Sequence, residues 1–511
     1  MVAGGCSARP PVTAGHPGPH VGGLRPRLPA GVLCVSGAIA LDSRTSSTTT
    51  MALRPVQPSQ ELLAEVAHGS VERRTRGCER PIRLRGSTKL VNPVTGEVRS
   101  VYASDQEVDG YAQVPCGNRR AEVCEPCSTR YAGDAWQLIH AGLAGGKGIP
   151  QAVAQHASTF GTFTAPSFGP VHGVRDKGPC RARRDKPVCS HGRPLWCNKR
   201  HLDGDERVGT PLCVDCYDYL GHVLWQWHAP ELWRRTTIAL QRELARRCGL
   251  SVKAFSRAAK VSYSKIAEFQ ARRLVHLHVP IRIDGAGGPD GPAPDLPMST
   301  ADLEDAVHAA AAHAFVDTTP LSDGTVYRVR WGTQVDTRTI TDRAPLNTPS
   351  RASRTAAVHP EQVASYLAKY LTKTTTDFGL HGRVLSAAHA RAMGASMHAV
   401  LILRTAQDLA GEHEDYHLLL KHLATLGYRG HPLTKSRAYS VTFGQLRRAR
   451  RRWHRNPARL DPEADTREVL DDDSVPDGFV LVSSWVFDGQ GYLDLDQAAA
   501  AVEAAARART R

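Results

Sequence analysis

The sequence lacks several features that would assign it to common classes of protein. No apolar run reaches the roughly 18–20 residues that a membrane-spanning helix needs, which argues against an integral membrane protein. No internal repeat is found along the chain. The segment Gly145-Gly146-Lys147-Gly148 has the wrong spacing for a phosphate-binding loop, and no Ser or Thr follows its lysine. The sequence therefore offers no route to ATP.

Acidic residues are outnumbered by basic ones. The 511 residues include 65 Lys and Arg against 50 Asp and Glu, a formal charge of +15. Hydrophobic residues make up 41% and charged residues 23%, as in ordinary soluble globular proteins. The excess of positive charge favours an anionic partner, with nucleic acid ahead of a membrane.

The first fifty residues differ from the rest of the chain. Residues 1–50 are rich in Gly, Pro, Ala, Ser and Thr and show no sustained helical or strand period, whereas a more ordinary sequence begins at Met51. We interpret them as a disordered leader or a mis-assigned start, so a cytoplasmic location is expected. The alternative is a signal peptide, in which Arg25 and Arg27 precede a weakly apolar stretch.

Cysteines form two groups, and each group ends in Cys-x-x-Cys. This spacing lets two thiolates bind one tetrahedral metal ion, and zinc is the natural candidate for four thiolates. The first predicted zinc site consists of Cys78, Cys116, Cys124 and Cys127, and the second of Cys189, Cys197, Cys213 and Cys216. In the second group Cys180, His191 and His201 are rival ligands. Disulfides and unliganded buried thiols remain alternative interpretations.

A hairpin pattern carries a second metal-binding signal. The β-rich runs VSYSKIAEFQ and LVHLHVPIRID are joined by a short basic turn. Alternate residues of a strand face the same side, so His276 and His278 point together. Glu268 precedes His276 by eight residues and lies on the partner strand of such a hairpin. Two imidazoles and a carboxylate suit a divalent cation with open coordination positions.

A predicted helix over residues 361–375 carries two tyrosines. Tyr366 and Tyr370 are four residues apart and share one face, and Lys369 and Lys373 follow them at a spacing of three. A tyrosine with a pKa near 10 is a poor nucleophile at neutral pH, but a metal-polarised phosphate and a lysine would change that. The plain alternative is a helix with aromatic core residues and solvated lysines.

The order of these elements resembles that of the rolling-circle replication initiators of the HUH endonuclease superfamily. The strand FGTFT comes first, then His-x-His with an upstream Glu, then Tyr-x-x-x-Tyr-x-x-Lys. The sequence resembles more closely still the RepSA-like replication initiators of actinobacterial integrative and conjugative plasmids. That resemblance rests on PCGNRRAEVCEPCSTRYAGD, FTAPSFGPVH, PLCVDCYDYLGHVLWQWHAPELWRR, AEFQARRLVHLHVPIRIDG, YLAKYLTK and GHPLTKSRAYSVTFGQLRRAR, and it covers residues 78–452.

The resemblance implies a mechanism. His276, His278 and Glu268 would hold one Mg²⁺ or Mn²⁺. One tyrosine would attack the scissile phosphate of a single-stranded or extruded origin, leaving a 5′-phosphotyrosine and a 3′-OH for synthesis. Tyr370 is the first choice because its AKYxxK context matches single-tyrosine relatives, with Tyr366 as the alternate. Lys369 and Lys373 would stabilise phosphate charge. A host helicase and polymerase would be partners.

Further contacts with nucleic acid are predicted at two places. Thr162 and Thr164, in FGTFT, could touch DNA or brace the metal site. The segment RRARRRWHR is either an origin-binding surface or a solvated charged helix. Its predicted contacts are Arg447, Arg448, Arg450, Arg451 and Arg452.

Two departures from the family pattern affect these expectations. The turn before the histidine pair usually carries Arg-Gly but here reads Arg272-Arg273-Leu274, so a looser hairpin is expected. About a hundred residues separate FGTFT from the histidine pair, so the core must loop out a sizeable insertion that contains the second cysteine group.

The expected fold class is α+β, with an HUH-type antiparallel sheet, flanking helices and two Cys-rich zinc modules. The predicted regions are a leader (1–50), an N-terminal region with the first cysteine group (51–150), a nickase core with the second group inserted at 180–216 (151–380), a basic DNA-binding region (381–455), and an acidic segment with a C-terminal helix (456–511).

Other functions share parts of this pattern. A conjugative relaxase or an HUH-type transposase would keep the histidine pair and the tyrosine but act on a different DNA substrate. A non-catalytic, zinc-containing DNA-binding regulator would keep the cysteines and the basic charge, and it would need neither His276 nor Tyr370.

Overall fold

The structure, a computed structural model, describes most of the chain after residue 74. The described residues are 75–107, 109–182, 187–202, 204–346, 356–372, 375–455, 476 and 478–509. They all lie within one compact unit, Pro55–Arg511. The predicted leader, residues 1–50, lies outside the described residues.

The strands follow one another along most of the described chain. They are Ile82–Val91 (β1), Val98–Ala103 (β2), Ala112–Val114 (β3), Ser158–Phe163 (β4), Ala259–Phe269 (β5), Val275–Gly285 (β6), Phe315–Asp317 (β7), Arg328–Arg330 (β8), Val335–Thr339 (β9), Leu433–Lys435 (β10) and Val480–Gln490 (β11). Paired neighbours in the sheets are antiparallel.

Helices alternate irregularly with these strands. They are Glu125–Ala144 (α1), Tyr219–Arg247 (α2), Val252–Ala258 (α3), Thr300–His313 (α4), Pro360–Leu371 (α5), Ala387–Ala392 (α6), Met397–Glu412 (α7), Phe443–Arg455 (α8) and Leu495–Arg509 (α9). Short 3₁₀ helices span Ser104–Gln106, Gln151–Gln155, Thr375–Phe378 and Glu414–Thr425. The α+β class is confirmed. Within the described residues, no helix combines the length and apolar character needed to cross a membrane.

A five-stranded sheet forms the centre of the molecule, with strand order β10-β5-β6-β4-β9. The predicted hairpin is its core, since β5 and β6 pair along nearly their whole length. Their register sets Glu268 opposite His276, and the pairing of β4 with β6 sets Thr162 opposite His278. Residues of two predicted motifs, FGTFT and the histidine pair with its upstream Glu, therefore meet on one face of the sheet.

Both faces of this sheet are covered. On one face, Leu277, Val279 and Ile281 are buried in a cluster with side chains of α2 and α4. On the other face, Ile266 is buried with side chains of α1 and α5, and Phe160 packs against that cluster. The alternation of buried side chains along the strands follows from the two-residue period of β structure.

Helix α2 runs through Pro230 without a break. A proline inside a helix removes one backbone hydrogen bond and is unfavourable by about 3 kcal/mol. Here Trp227 on one side of Pro230 and Leu232 on the other are both buried, in different apolar clusters. Burial of side chains on both sides offsets the local cost of the proline.

A second sheet joins the two ends of the described chain. Strand β1 pairs with β2 and β3 on one side and with β11 on the other. The sequence predicts an acidic segment and a helix over residues 456–511. It does not predict the strand β11, which lies within this region. Of the residues of β11, only Trp485 is well buried.

The turn between β5 and β6 is held tightly although it lacks the expected glycine. Arg273 adopts a left-handed φ of +66° and is buried. Its guanidinium donates to the carbonyls of Ala271 and Val208 and to Ser396 Oγ, and it lies over the ring of Phe378. The expectation of a loose turn is wrong, because these contacts compensate for the strain of a non-glycine residue.

We expect Arg273→Ala to lower the free energy of unfolding by about 2–3 kcal/mol, since it removes hydrogen bonds from a buried charged group. Arg273→Gly loses the same contacts but has no left-handed strain, so it should be about 1 kcal/mol more stable than Arg273→Ala. Urea unfolding followed by tryptophan fluorescence measures both. Equal stability of the two variants would contradict the strained conformation.

Candidate metal and tyrosine site

Three side chains converge at one end of the β5–β6 hairpin. His278 Nε2 lies 2.7 Å from Glu268 Oε2, and His276 Nε2 lies 3.5 Å from the same oxygen. The two Nε2 atoms are 2.9 Å apart. The structure therefore brings together the predicted trio, with one ligand atom from each residue within 4.8 Å of the others.

The Nε2 atoms of both histidines face Glu268, and the Nδ1 atom of each ring contacts a neighbouring side chain. Thr162 Oγ1 lies 3.2 Å from His278 Nδ1, and Gln270 Nε2 lies 2.9 Å from His276 Nδ1. The ring of Phe160 stacks on His278. Groups that orient the ligand rings in this way also tune metal affinity.

The protonation of these groups favours cation binding. Burial raises the pKa of Glu268, but its hydrogen bonds with His276 and His278 outweigh this and bring that pKa down to about 2. Burial and the neighbouring His276 lower the pKa of His278 to about 4. A carboxylate and a neutral imidazole are the forms that ligate a metal, so this donor set fits a divalent cation.

Helix α5 places both predicted tyrosines beside this trio. The centroid of the Tyr366 ring lies 5.2 Å from that of His278, and the Tyr370 ring lies 6.3 Å from it. The two tyrosine rings are 4.6 Å apart. Burial and the carboxylate of Glu268 raise the pKa of Tyr366. Lys369 is exposed on the same helix, whereas Lys373 lies outside the described residues.

Apolar packing and two polar contacts hold α5 in place. Val363, Leu367 and Leu371 are buried against α1 in one cluster. Trp136 Nε1 donates to Ser365 Oγ at 3.0 Å, and Arg119 Nη1 donates to the carbonyl of Leu371 at 2.7 Å. The second contact links the C-terminal end of α5 to the loop that carries the first cysteine group.

The first cysteine group forms a single cluster. Cys78, Cys116, Cys124 and Cys127 lie with their sulfur atoms within 4.8 Å of one another, and three of the four are buried. The backbone N–H of Cys116 donates to Cys78 Sγ, and that of Glu79 donates to Cys124 Sγ. Four thiols gathered in this way can hold one metal ion.

The second group divides into two clusters, so its predicted ligand set is wrong at Cys197. Cys189, Cys213 and Cys216 gather with His191. Cys197 lies in a separate cluster with His172, Cys180 and His201. Spacing along the sequence could not assign Cys197 to one cluster or the other, because each cluster combines ligands from segments that are separated in the sequence. His172 is not among the ligands that the sequence predicts.

The two nucleic-acid contacts predicted in FGTFT, Thr162 and Thr164, have different surroundings in the structure. Thr162 is half-buried and braces His278, which is one of its two predicted roles. Thr164 is only 6% exposed and lies past the end of β4, which does not fit a contact with DNA.

The predicted basic surface lies on α8. Arg447 is exposed, with its guanidinium 6.0 Å from the ring of Phe443, and Arg448 is half-buried. Arg450 forms an ion pair with Asp134 of α1, which does not fit its predicted role as a phosphate contact. The side chains of Arg451 and Arg452 lie outside the described part of the chain.

Sequence reasoning missed two residues that shape the site. Gln270 contacts His276, and Arg119 anchors α5. Gln270 follows Glu268 at the two-residue spacing of a shared strand face, so this signal was available. Nothing local marks Arg119, whose partner lies 252 positions away.

Comparisons with known proteins define the class of this chain. A family model described as "RepSA: Replication initiator protein, pSAM2" matches residues 64–506. The class is thus that of replication initiator proteins, and the chain belongs to the RepSA family.

One curated relative agrees with this assignment. It is a replication initiator protein from Streptomyces ambofaciens, 37% identical over 427 residues, which span 82% of this chain and 85% of the relative. No solved structure matches the chain.

We expect Thr162→Val to weaken Mn²⁺ binding by about 10-fold, because it removes the group that orients His278. Titration followed by electron paramagnetic resonance measures this affinity without any DNA. Thr237→Val, the same change on α2, should leave it unaltered. Equal affinities for both variants and the parent protein would show that Thr162 does not support the site.

Proposed function

We propose that this chain initiates plasmid replication by cutting one DNA strand at the origin through a tyrosine nucleophile. One observation carries the proposal, namely that Glu268, His276 and His278 lie directly beside the paired rings of Tyr366 and Tyr370. Membership of a family of replication initiators gives this arrangement a substrate, the origin DNA.

The cation would be Mg²⁺ or Mn²⁺, held by His276, His278 and Glu268. When bound, it supplies Lewis-acid polarisation of the scissile phosphate and neutralises part of its charge. The protein provides the rest, by orienting both imidazoles from behind through Thr162 and Gln270.

Tyr370 is the first nucleophile. Tyr366 is enclosed by Phe160 and His278, and its raised pKa makes its oxygen harder to deprotonate. The Tyr370 oxygen forms a bond to phosphorus while the bond from phosphorus to the 3′ oxygen breaks. The proton lost by the tyrosine balances the one gained by the 3′ oxygen. The products are a 5′-phosphotyrosine and a free 3′-OH.

Tyr366 serves the second cleavage. Its ring is in contact with that of Tyr370, so a strand covalently joined to one tyrosine lies beside the other. Attack at the regenerated origin would release a circle. Lys369, exposed one residue before Tyr370, and Lys373 would stabilise phosphate charge during both steps.

Other parts of the machinery follow from the same proposal. Zinc at Cys78, Cys116, Cys124 and Cys127 would stabilise the loop from which Arg119 reaches the end of α5. A single-stranded or extruded origin is the substrate, since the nucleophile must reach an unpaired strand. A host helicase would separate the strands and a host polymerase would extend the 3′-OH.

We expect a covalent protein–DNA adduct on single-stranded oligonucleotides that tile the element's own origin region. The adduct should survive a denaturing gel, require Mn²⁺ and disappear with EDTA. Tyr370→Phe should reduce adduct formation at least about 100-fold because the attacking oxygen is gone, whereas Tyr366→Phe should retain the first cleavage.

The matched control is Tyr263→Phe, since Tyr263 packs on Trp233 on the opposite face of the sheet. It should cut like the parent protein. Tight, salt-sensitive binding without an adduct on any origin strand would refute the nuclease and favour the non-catalytic regulator. Cleavage only at a transfer origin or an element end would favour a relaxase or a transposase.

We expect Arg447→Ala to weaken origin binding and to reduce the slope of log affinity against log salt by about 0.7–0.9, the loss of one phosphate contact. Arg450→Ala removes the same charge from the same helix, but Arg450 is paired with Asp134, so its slope should stay near the parent value. Fluorescence anisotropy across a salt series measures both. Equal slopes for both variants would contradict a role for α8 at the origin.

A further inference from the structure

Eight Cys and His side chains between residues 172 and 216 form two clusters. The first cluster consists of His172, Cys180, Cys197 and His201, and the second of Cys189, His191, Cys213 and Cys216. Within each, one potential ligand atom per residue lies within 4.8 Å of all the others. Together with the Cys78 cluster, the described chain thus holds three sets of four ligands.

The first of these clusters is enclosed and oriented. His201 is 1% exposed and Cys180 is 4% exposed. His201 Nε2 lies 3.2 Å from His172 Nδ1 and 3.5 Å from Cys197 Sγ. The other nitrogen of His201 lies 2.7 Å from Asp205 Oδ2. A carboxylate behind a histidine is the usual arrangement at a metal ligand, because it fixes the ring and its tautomer.

The second cluster has three sulfur donors and one nitrogen. His191 Nδ1 lies 3.2 Å from Cys216 Sγ and 3.9 Å from Cys213 Sγ. A tight turn returns the chain at Cys189, whose backbone N–H donates to the carbonyl of Arg193. Thiolates with one or two imidazoles are the donor sets of structural zinc sites.

The order of the ligands along the chain alternates between the clusters. The four successive pairs are His172 and Cys180, Cys189 and His191, Cys197 and His201, and Cys213 and Cys216. The first and third pairs make one cluster, and the second and fourth pairs make the other. The chain therefore crosses from one cluster to the other three times.

We propose that the described residues between 172 and 216 form a cross-braced module that binds two zinc ions, which gives the protein three structural zinc ions. The described residues from 164 to 218 contain no helix or strand, only isolated bridges such as Arg181 with Cys197. Such a segment has little apolar core to stabilise it, so metal binding supplies the free energy that orders it.

The module also secures the hairpin that carries the histidine pair. Gly209 approaches the turn so closely that a Cβ at this position would collide with the carbonyl of Ala271. Arg273 donates to the carbonyl of Val208 at 3.2 Å. The last part of the module therefore holds the turn immediately before Val275 and His276.

The test is a zinc count by native mass spectrometry together with elemental analysis. The protein is the full chain with His276→Ala and His278→Ala, so that the candidate catalytic site contributes no ion. We expect three zinc ions per chain. A count of two or fewer would overturn the proposal, and this result does not depend on whether the protein cuts DNA.

Single variants in this background test the ligand assignment. His172→Ala and His191→Ala should each lower the count to two, or to one if the braced sites are lost together. His313→Ala, an exposed histidine on α4, and Cys248→Ser, a cysteine outside the clusters, should retain three. An unchanged count for either ligand variant would contradict its assignment.

Thiol alkylation of Cys197→Ser tests the alternation itself. Cys180 should become reactive toward the alkylating reagent, because it belongs to the same site as Cys197. Cys189 and Cys213 belong to the other site and should remain protected, unless both ions leave together. Reactive Cys189 with protected Cys180 would overturn the crossed order. The parent zinc count remains decisive if any of these variants fails to fold.

Discussion

The pairing of β5 with β6 is the constraint on which the candidate site depends. Its antiparallel register sets Glu268 opposite His276, and the two-residue period of β6 brings His278 to the same face. A shift of one residue would turn the histidines toward the apolar cluster beneath the sheet. Because Leu277 and Val279 are fully buried in that cluster, the hydrophobic pattern that stabilises the sheet also fixes the orientation of the ligands.

The surrounding elements hold the hairpin and the tyrosine helix at a fixed separation. Arg272 donates to the carbonyls of Ala165 and Pro166, which joins the turn of the hairpin to the chain after β4. Arg119 joins the end of α5 to the loop of the first cysteine cluster. These two contacts add to the direct packing of Ile266 and Phe160 against α5, which brings the tyrosines to the histidines.

Local patterns predicted more of the site than of its supports. The hairpin, the trio of ligands and the tyrosine helix follow from spacings of two and four residues, which depend on backbone geometry alone. The partition of the second cysteine group depends on which distant segments meet, so spacing could not assign Cys197. Likewise, the left-handed conformation of Arg273 is stabilised by Val208 and Ser396, which are far away in sequence.

The proposed crossed module would explain how the core tolerates a long insertion between its first two motifs. The two ends of the insertion meet, since the N–H of Asp218 donates to the carbonyl of Phe168 and that of Leu212 donates to Pro170. The cysteine-bearing segment therefore leaves and rejoins the fold at one place, between the end of β4 and the start of α2. The entropic cost of closing a loop grows only with the logarithm of its length. The entropic cost of ordering the loop's residues grows in proportion to their number. Two bound metal ions would offset the larger of these costs, and the contact of Gly209 with Ala271 would place the ordered segment against the turn that precedes His276.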